Sequence, residues 1–470
     1  RVFGSKRRSA LGIQQVLNVV GILLSAAAAL FWATVLTAIV YHRPDQIEYW
    51  DMCPSALLDW GELSAFALVL LVSGVYTLVT RMDSDLLNLA SLHNYYRARI
   101  ERAYVSSGNA DRYGGKAWKR REPGSAELIK PLTETMPGDD IDLISYQPHL
   151  MGGPIHLINC CINQTVDDRT GIYNADRKGV ALAVSAFGVE IGTRPPVRSP
   201  SELGRLSKWT AISGAAAGSG MGSQTLPGLA ALLFMSGVRL GFWMPQLRDP
   251  SPDVSVRGKK RNKTLWHWFE KPSAVLAESL ARFPGLGSPV WYVSDGGHFD
   301  NTGIYALLKR RPSVIVAADC GADPEFRFGD VESLVRKAKI DYRADIDFIN
   351  FDLDGASDAT GTFVSVSPRQ CDHPLLLACI RYEPIPGQAQ KIGTLIVVKP
   401  RVLSDLPFDT QAYATRNPTF PQQTTGDQFF DEAQWEAYHE LGEIIGRSIT
   451  DEKVALAEQV VALYASQMTT

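Results

Sequence analysis

Residues Val290–Pro324, VWYVSDGGHFDNTGIYALLKRRPSVIVAADCGADP, constrain the fold more than any other stretch of the chain. The apolar run Val290–Val293 stops abruptly at Ser294-Asp295-Gly296-Gly297. An amphipathic segment follows, with Ile304, Leu307 and Leu308 on one face and Lys309, Arg310 and Arg311 at its end. Basic side chains there oppose the dipole of a helix C-terminus, and Pro312 ends the segment. Val314–Ala318 is a second apolar run of strand length, closed by Asp319. Strand, turn, helix, strand predicts a right-handed crossover within a parallel sheet. Both aspartates then stand at C-terminal strand ends, where open α/β sheets place their sites.

A carboxylate followed by two glycines has two readings. Asp295 caps the turn that follows, or Gly296 and Gly297 let the backbone bend sharply and leave room beside a working carboxylate. His298, three positions on, could approach the same site and invites a Ser-His-Asp reading. A metal-hydrolase reading would combine Asp295, His298, Asp300 and Asp319.

SDGGHFDNTGIYALLKRR followed by VIVAADCGADP resembles the patatin-like phospholipases, in particular a bacterial, membrane-associated branch related to the cytosolic phospholipases. AISGAAAGSGMG at 211–222 and FPQQTTGDQFFDEAQWEAYHELG at 420–442 carry the same resemblance. It spans roughly residues 90–450. It implies a three-layer α/β sheet with flanking helices and a Ser-Asp dyad with Asp295 as base. It also implies an acyl hydrolase of phospholipase A or lysophospholipase type, acting on membrane phospholipids without a cofactor. The alternative is a catalytically inactive scaffold or sensor that keeps the fold.

A serine hydrolase holds its nucleophile on a sharp strand-to-helix turn flanked by small residues. Trp209-Thr210-Ala211-Ile212-Ser213-Gly214-Ala215-Ala216 fits that pattern, with Ala211 and Ala215 where glycines usually stand. Ser213 is therefore the candidate nucleophile. Gly214, Gly296, Gly297 and His298 are the candidate oxyanion or near-site residues. The glycine-rich oxyanion loop of the patatin-like enzymes has no counterpart in residues 1–212; Met151-Gly152-Gly153-Pro154 is a poor substitute. A nucleophile encoded upstream of Arg1 is the competing expectation.

Val16–Tyr41 holds no charged residue and is long enough to cross a bilayer as a helix. Leu63–Thr80 is a second uncharged run. Arg1, Lys6, Arg7 and Arg8 precede the first run, and Arg81, Arg97, Arg99 and Arg102 follow the second. The loop between them carries Asp45, Glu48, Asp51, Asp59 and Glu62 against Arg43 alone. The positive-inside rule then predicts a transmembrane hairpin (1–82) with both ends cytoplasmic, in a bacterial inner membrane. An amphipathic helix and linker (83–140) and the hydrolase domain (141–470) complete the expected organisation. A net charge of −3 gives no field for nucleic acid. The six cysteines form no CxxC pair and read as free, mostly buried thiols. Cys371, His373 and Cys379 match no familiar zinc spacing.

From His149 the pattern turns β-like. Ile155–Ile162, Val180–Ile191, Asp347–Phe351, Phe363–Val366, Leu375–Tyr382 and Thr394–Lys399 read as strands. Asp83–Ser106, Asp330–Lys339, Asp427–Ile449 and Asp451–Ser466 read as helices.

Overall fold

The structure, a computed structural model, describes residues 4–40, 60–80, 86–109, 135–166, 177–196, 203–247, 263–349, 374–424 and 430–468. The expected strand at Phe363–Val366 and the positions Cys53, Cys371 and His373 lie outside them. The chain is mixed α/β and divides into two compact units, Arg1–Phe299 and Asp300–Thr470. The division falls inside the SDGGHFDN motif and inside the stretch expected to be one domain.

Unit one begins with α1 (Gly4–Val40) and α2 (Trp60–Thr80). Within α1, Gln15–Ala38 is long and apolar enough to cross a membrane, with a mean hydropathy of 2.3. Only 6% of that window is buried by protein, so it is not the core helix of a soluble domain. In α2 the apolar stretch is Leu63–Tyr76, shorter than a bilayer requires by itself.

The expected helix Asp83–Ser106 is broken into α3 (Leu86–Leu89) and α4 (His93–Ala103). Next comes a fully antiparallel five-stranded sheet in the order β3-β2-β1-β5-β4. Its strands are β1 (Ile158–Asn163), β2 (Gly179–Ser185), β3 (Gly188–Ile191), β4 (Phe242–Pro245) and β5 (Val290–Asp295). The run Val180–Ile191 is therefore a hairpin, turned between Ser185 and Gly188. Among the described residues between β3 and β5 are the helices α5 (Leu206–Ser213), α6 (Pro227–Ser236) and α7 (Lys263–Ser279).

Strand alternation fills both faces of this sheet. Trp291 and Val293 of β5 pack with Phe242, Ile158 and Ile162 against Leu206, Trp209 and Ile212 of α5. Val290 and Tyr292 turn the other way, with Trp243, onto Leu87 of α3, Ala230 of α6 and Ala274 of α7.

Unit two holds α8 (Ile304–Leu308), β6 (Val314–Ala318), α9 (Gly329–Tyr342), β7 (Asp345–Ile349), β8 (Leu375–Arg381) and β9 (Ile392–Val398). The helices α10 (Phe408–Arg416), α11 (Glu432–Ser448) and α12 (Asp451–Met468) follow. Its sheet runs β6-β9-β8-β7, parallel between β6 and β9 and antiparallel elsewhere. Ala457 and Val461 of α12 cover Leu377, Cys379 and Ile396.

The expected crossover from β5 to β6 is corrected here. The two strands belong to different sheets; β5 pairs antiparallel with β1 and β4, and β6 pairs with β9. An apolar run records that a strand is buried but not which strand lies beside it, and β5 finds its partners in segments far upstream.

Candidate active site

The end of β5 holds Asp295 opposite Cys160 of β1. Asp295 caps the single helical turn Gly296–His298, and its Oδ1 accepts the Gly297 N–H at 2.7 Å. The Oδ2 atom has no hydrogen-bond partner among the described residues. Burial raises the Asp295 pKa above the ordinary carboxylate value, and the Gly297 N–H only partly offsets this. Burial also pushes up the Cys160 thiol, with Asp295 adding to the effect, so that thiol is inert. The capping reading and a half-buried carboxylate with one open oxygen are both present in the same residue.

Gly296 is required by a close approach. A Cβ there would lie 2.6 Å from the Asn159 carbonyl oxygen. The same oxygen accepts the Ser213 hydroxyl at 2.8 Å. Ser213 and the Asp295–Gly296 turn thus flank one carbonyl of β1.

The glycine-rich loop after α5 lies along this turn. His298 Nε2–H donates to the Ala216 carbonyl at 3.1 Å, and Gly222, at φ +52°, sits against the His298 carbonyl. Burial lowers the His298 pKa to about 4, so the ring is neutral. With Nε2 donating, Nδ1 accepts the Ser294 hydroxyl at 2.8 Å. Ser294 Oγ in turn accepts from Asn163 Nδ2 at 2.8 Å, and Asn163 Oδ1 takes the Gly222 N–H at 2.9 Å. The stretches AISGAAAGSGMG and SDGGH, separate in the sequence, are therefore bound into one constellation, with His298 holding the loop.

Ser213 itself is not on a strand-to-helix elbow. It is the last residue of α5, half-buried, with Gly214 as the C-cap. Trp209, Ala211 and Ile212 are buried, and a helix places them inward as well as a strand would. The neighbouring N–H groups close the helix end: Gly214 to the Thr210 carbonyl at 3.1 Å, Ala215 to Ile212 at 3.1 Å, Ala216 to Gly214 at 2.9 Å.

Ser213 and Gly214 line a cleft of about 420 Å³ with Tyr96, Tyr104, His156 and Asn159. That volume suits a small ligand or one chain of a larger one. Tyr96 donates to the Gly214 carbonyl at 3.1 Å, and its pKa is raised by burial first and by Asp295 second. The helix carrying Tyr96 is fixed to α5 by Arg97, which donates to Ser207 Oγ at 2.8 Å and pairs with Asp140 at 3.2 Å. Ser207 Oγ donates to the same Asp140 carboxylate at 2.5 Å. Sequence reasoning missed Tyr96, Asn159, Asn163 and Ser294, which belong to no recognisable spacing.

The metal reading does not survive. Among the described residues, the group of ligand atoms close enough to share an ion is Glu436, His439 and Glu440, on the surface of α11. Asp300 instead caps α8, accepting from Thr302 Oγ1 at 2.7 Å and from the Tyr305 N–H at 2.9 Å. Asp319 is paired with Lys399 at 3.2 Å.

Comparison with known protein families, curated proteins and solved structures gives no match to this chain.

Proposed function

We propose that this chain is a membrane-anchored, patatin-like lipid acyl hydrolase with Asp295 as its base. The observation that carries the reading is the joining of the two motif stretches at the end of β5, beside a half-buried carboxylate with one open oxygen. A raised carboxylate pKa suits a general base at neutral pH. Ser213 is the cleft hydroxyl assigned as nucleophile. To act, it turns from the Asn159 carbonyl to Asp295 Oδ2 and gives up its proton as it attacks an ester carbonyl. Asp295 then protonates the departing alcohol, and water releases the fatty acid from the acyl-enzyme. Phospholipids of the bilayer that receives α1 are the substrates.

The finer architecture belongs to the same proposal. Helices on both faces of the five-stranded sheet support a three-layer arrangement. Contacts of α2 with α1 and α7 support a hairpin returning to a cytoplasmic domain at a bacterial inner membrane.

One observation favours a second reading, a scaffold with the fold and no turnover. Ser213 sits at a helix C-terminus, whose partial negative charge opposes an oxyanion, and the adjacent N–H groups are already bonded. A fluorophosphonate probe and a lysophospholipid assay on the purified chain distinguish the two. Labelling and turnover, both lost in Ser213→Ala and Asp295→Asn, establish the hydrolase; neither in the folded protein establishes the scaffold.

A further inference from the structure

In unit one, α6 and the C-terminal half of α7 are built inside out. Along α7, Ala274, Ala277 and Glu278 face inward, while Val275, Leu276 and Leu280 beyond its end are exposed, Leu276 at 60%. A helix against water does the reverse, with carboxylates outside and leucines inside. The inward Glu278 is fully paired: Arg239 at 3.1 Å, Trp243 Nε1 at 2.7 Å and Ser219 Oγ at 2.9 Å. Arg239, the first charged residue after α6, is thereby removed from the surface.

In α6, Pro227–Ser236 carries no charge, and its buried residues are the smallest, Gly228, Ala230 and Ala231. Met235 and Val238 are exposed beside it. Leu89 of α3 is exposed too, and α3 shares the Leu87–Ala230–Ala274 cluster beneath the same helices. The outcome is a set of exposed apolar residues on helices that share one buried cluster, with Arg282 the described charge just past Leu280.

Helix α1 decides what covers this face. It packs on α6 backbone to backbone: a Cβ on Gly21 would collide with the Gly228 carbonyl, and one on Gly228 with the Asn18 carbonyl. Small residues at such crossings are how helices associate in lipid. The first two positions of α6 make no demand on water. Pro227 has no N–H to place, and the Gly228 N–H donates to Asn18 Oδ1 at 2.6 Å. In hydrocarbon every such donor needs a protein acceptor.

We infer that α6, the C-terminal half of α7 and Leu89 form a bilayer-seated face, inserted beside α1 into the lipid that α1 crosses. The inference rests on α1 as a membrane span and not on the acyl-hydrolase chemistry. Leu89 lies four residues before His93, where α4, the helix that carries the cleft residue Tyr96, begins.

The test places an environment-sensitive fluorescent amino acid at Met235 or Leu276 of the full chain. Reference reporters stand at Leu24 in α1 and at Phe187 in the exposed β2–β3 turn. Each protein is reconstituted into phosphatidylcholine vesicles and quenched with brominated lipid or aqueous iodide. The expected result is loss of emission at 235, 276 and 24 with brominated lipid, and at 187 with iodide. Quenching at 235 and 276 by iodide, with 24 still quenched by lipid, overturns the face and leaves α1 as a span. Iodide quenching at 24 overturns both. Protection of 235 and 276 from both quenchers means a protein covers them, and overturns the face as well. Two helices carry reporters, so one misfolded variant does not decide the outcome.

Discussion

The Ser213 hydroxyl donates to the Asn159 carbonyl at 2.8 Å, on the edge of the turn that carries Asp295. A hydroxyl has one proton, so while that bond stands Asp295 cannot receive it. Catalysis by this pair requires the hydroxyl to give up that bond. The bond given up is worth about 1 kcal/mol net, well within what substrate binding supplies. Ser213→Ala is therefore expected to abolish fluorophosphonate labelling while leaving the melting temperature within a few degrees of wild type. Retained labelling in this variant would remove Ser213 from the mechanism.

Asp295→Asn separates chemistry from folding. Loss of a catalytic base lowers turnover by several orders of magnitude. The stability change has the opposite sign at neutral pH. The folded pKa is raised, so the contribution of Asp295 to stability is full below its unfolded value and is lost as pH rises through the folded value. Asparagine keeps an acceptor for the Gly297 N–H without the buried charge. The variant should melt above wild type at pH 7, and the gap should close as pH falls toward 4. Thermal unfolding at the two pH values reads this directly, and a variant less stable at pH 7 contradicts the burial argument.

The SDGGH turn and the strands around it were legible because their cause is local. An apolar run, two glycines and a carboxylate determine a turn whatever its partners. The pairing of β5 with β1 was not legible, since Cys160 and Asp295 meet across a long separation in the chain. The elbow was misread because Ala211, Ile212 and Ser213 are as acceptable at a helix end as in a strand. The helices α6 and α7 went unread for a different reason. Met235 of α6 and Val275 and Leu276 of α7 are exposed, so the usual rule assigns these faces the wrong way round.

His93 at the start of α4 was equally invisible. It is fully buried against Phe242, with Nδ1 bonded to the Leu240 carbonyl at 2.7 Å. Burial lowers its pKa to about 4 from 6.5. The ring is neutral in the fold, so the stability it contributes is present above pH 6.5 and is lost as pH falls toward 4. A shift of that size corresponds to about 3 kcal/mol. Urea unfolding of unit one should weaken across this window, and His93→Gln should flatten that part of the profile. An unchanged pH dependence in the variant would assign the acid sensitivity elsewhere.

The Arg239–Glu278 pair, with side chains 3% and 1% exposed, is costly to leave half occupied. Removing Glu278 strands a guanidinium, and removing one partner of a buried pair costs about 3–5 kcal/mol. Glu278→Leu should therefore unfold unit one at far lower denaturant than wild type. The double change Arg239→Met with Glu278→Leu should recover most of the loss, because no charge is then left unpaired. A double variant as weak as the single would mean that the bonds to Trp243 and Ser219, not the charge, dominate.

The contact between Gly21 and Gly228 joins α1 to α6 backbone to backbone. Neither neighbour is a flexible side chain that can swing away, so even one methyl must separate the helices. Overpacking of this kind costs about 1–3 kcal/mol. Gly228→Leu should release α1 from α6, and Asn18→Ala should weaken the same junction by leaving the Gly228 N–H without its acceptor. Both are read by thermal unfolding of the protein reconstituted in vesicles. A lower midpoint in both variants, with the larger drop in Gly228→Leu, is the expected pattern. A Gly228→Leu midpoint equal to the parent's would show that the helices are held by something other than their glycines.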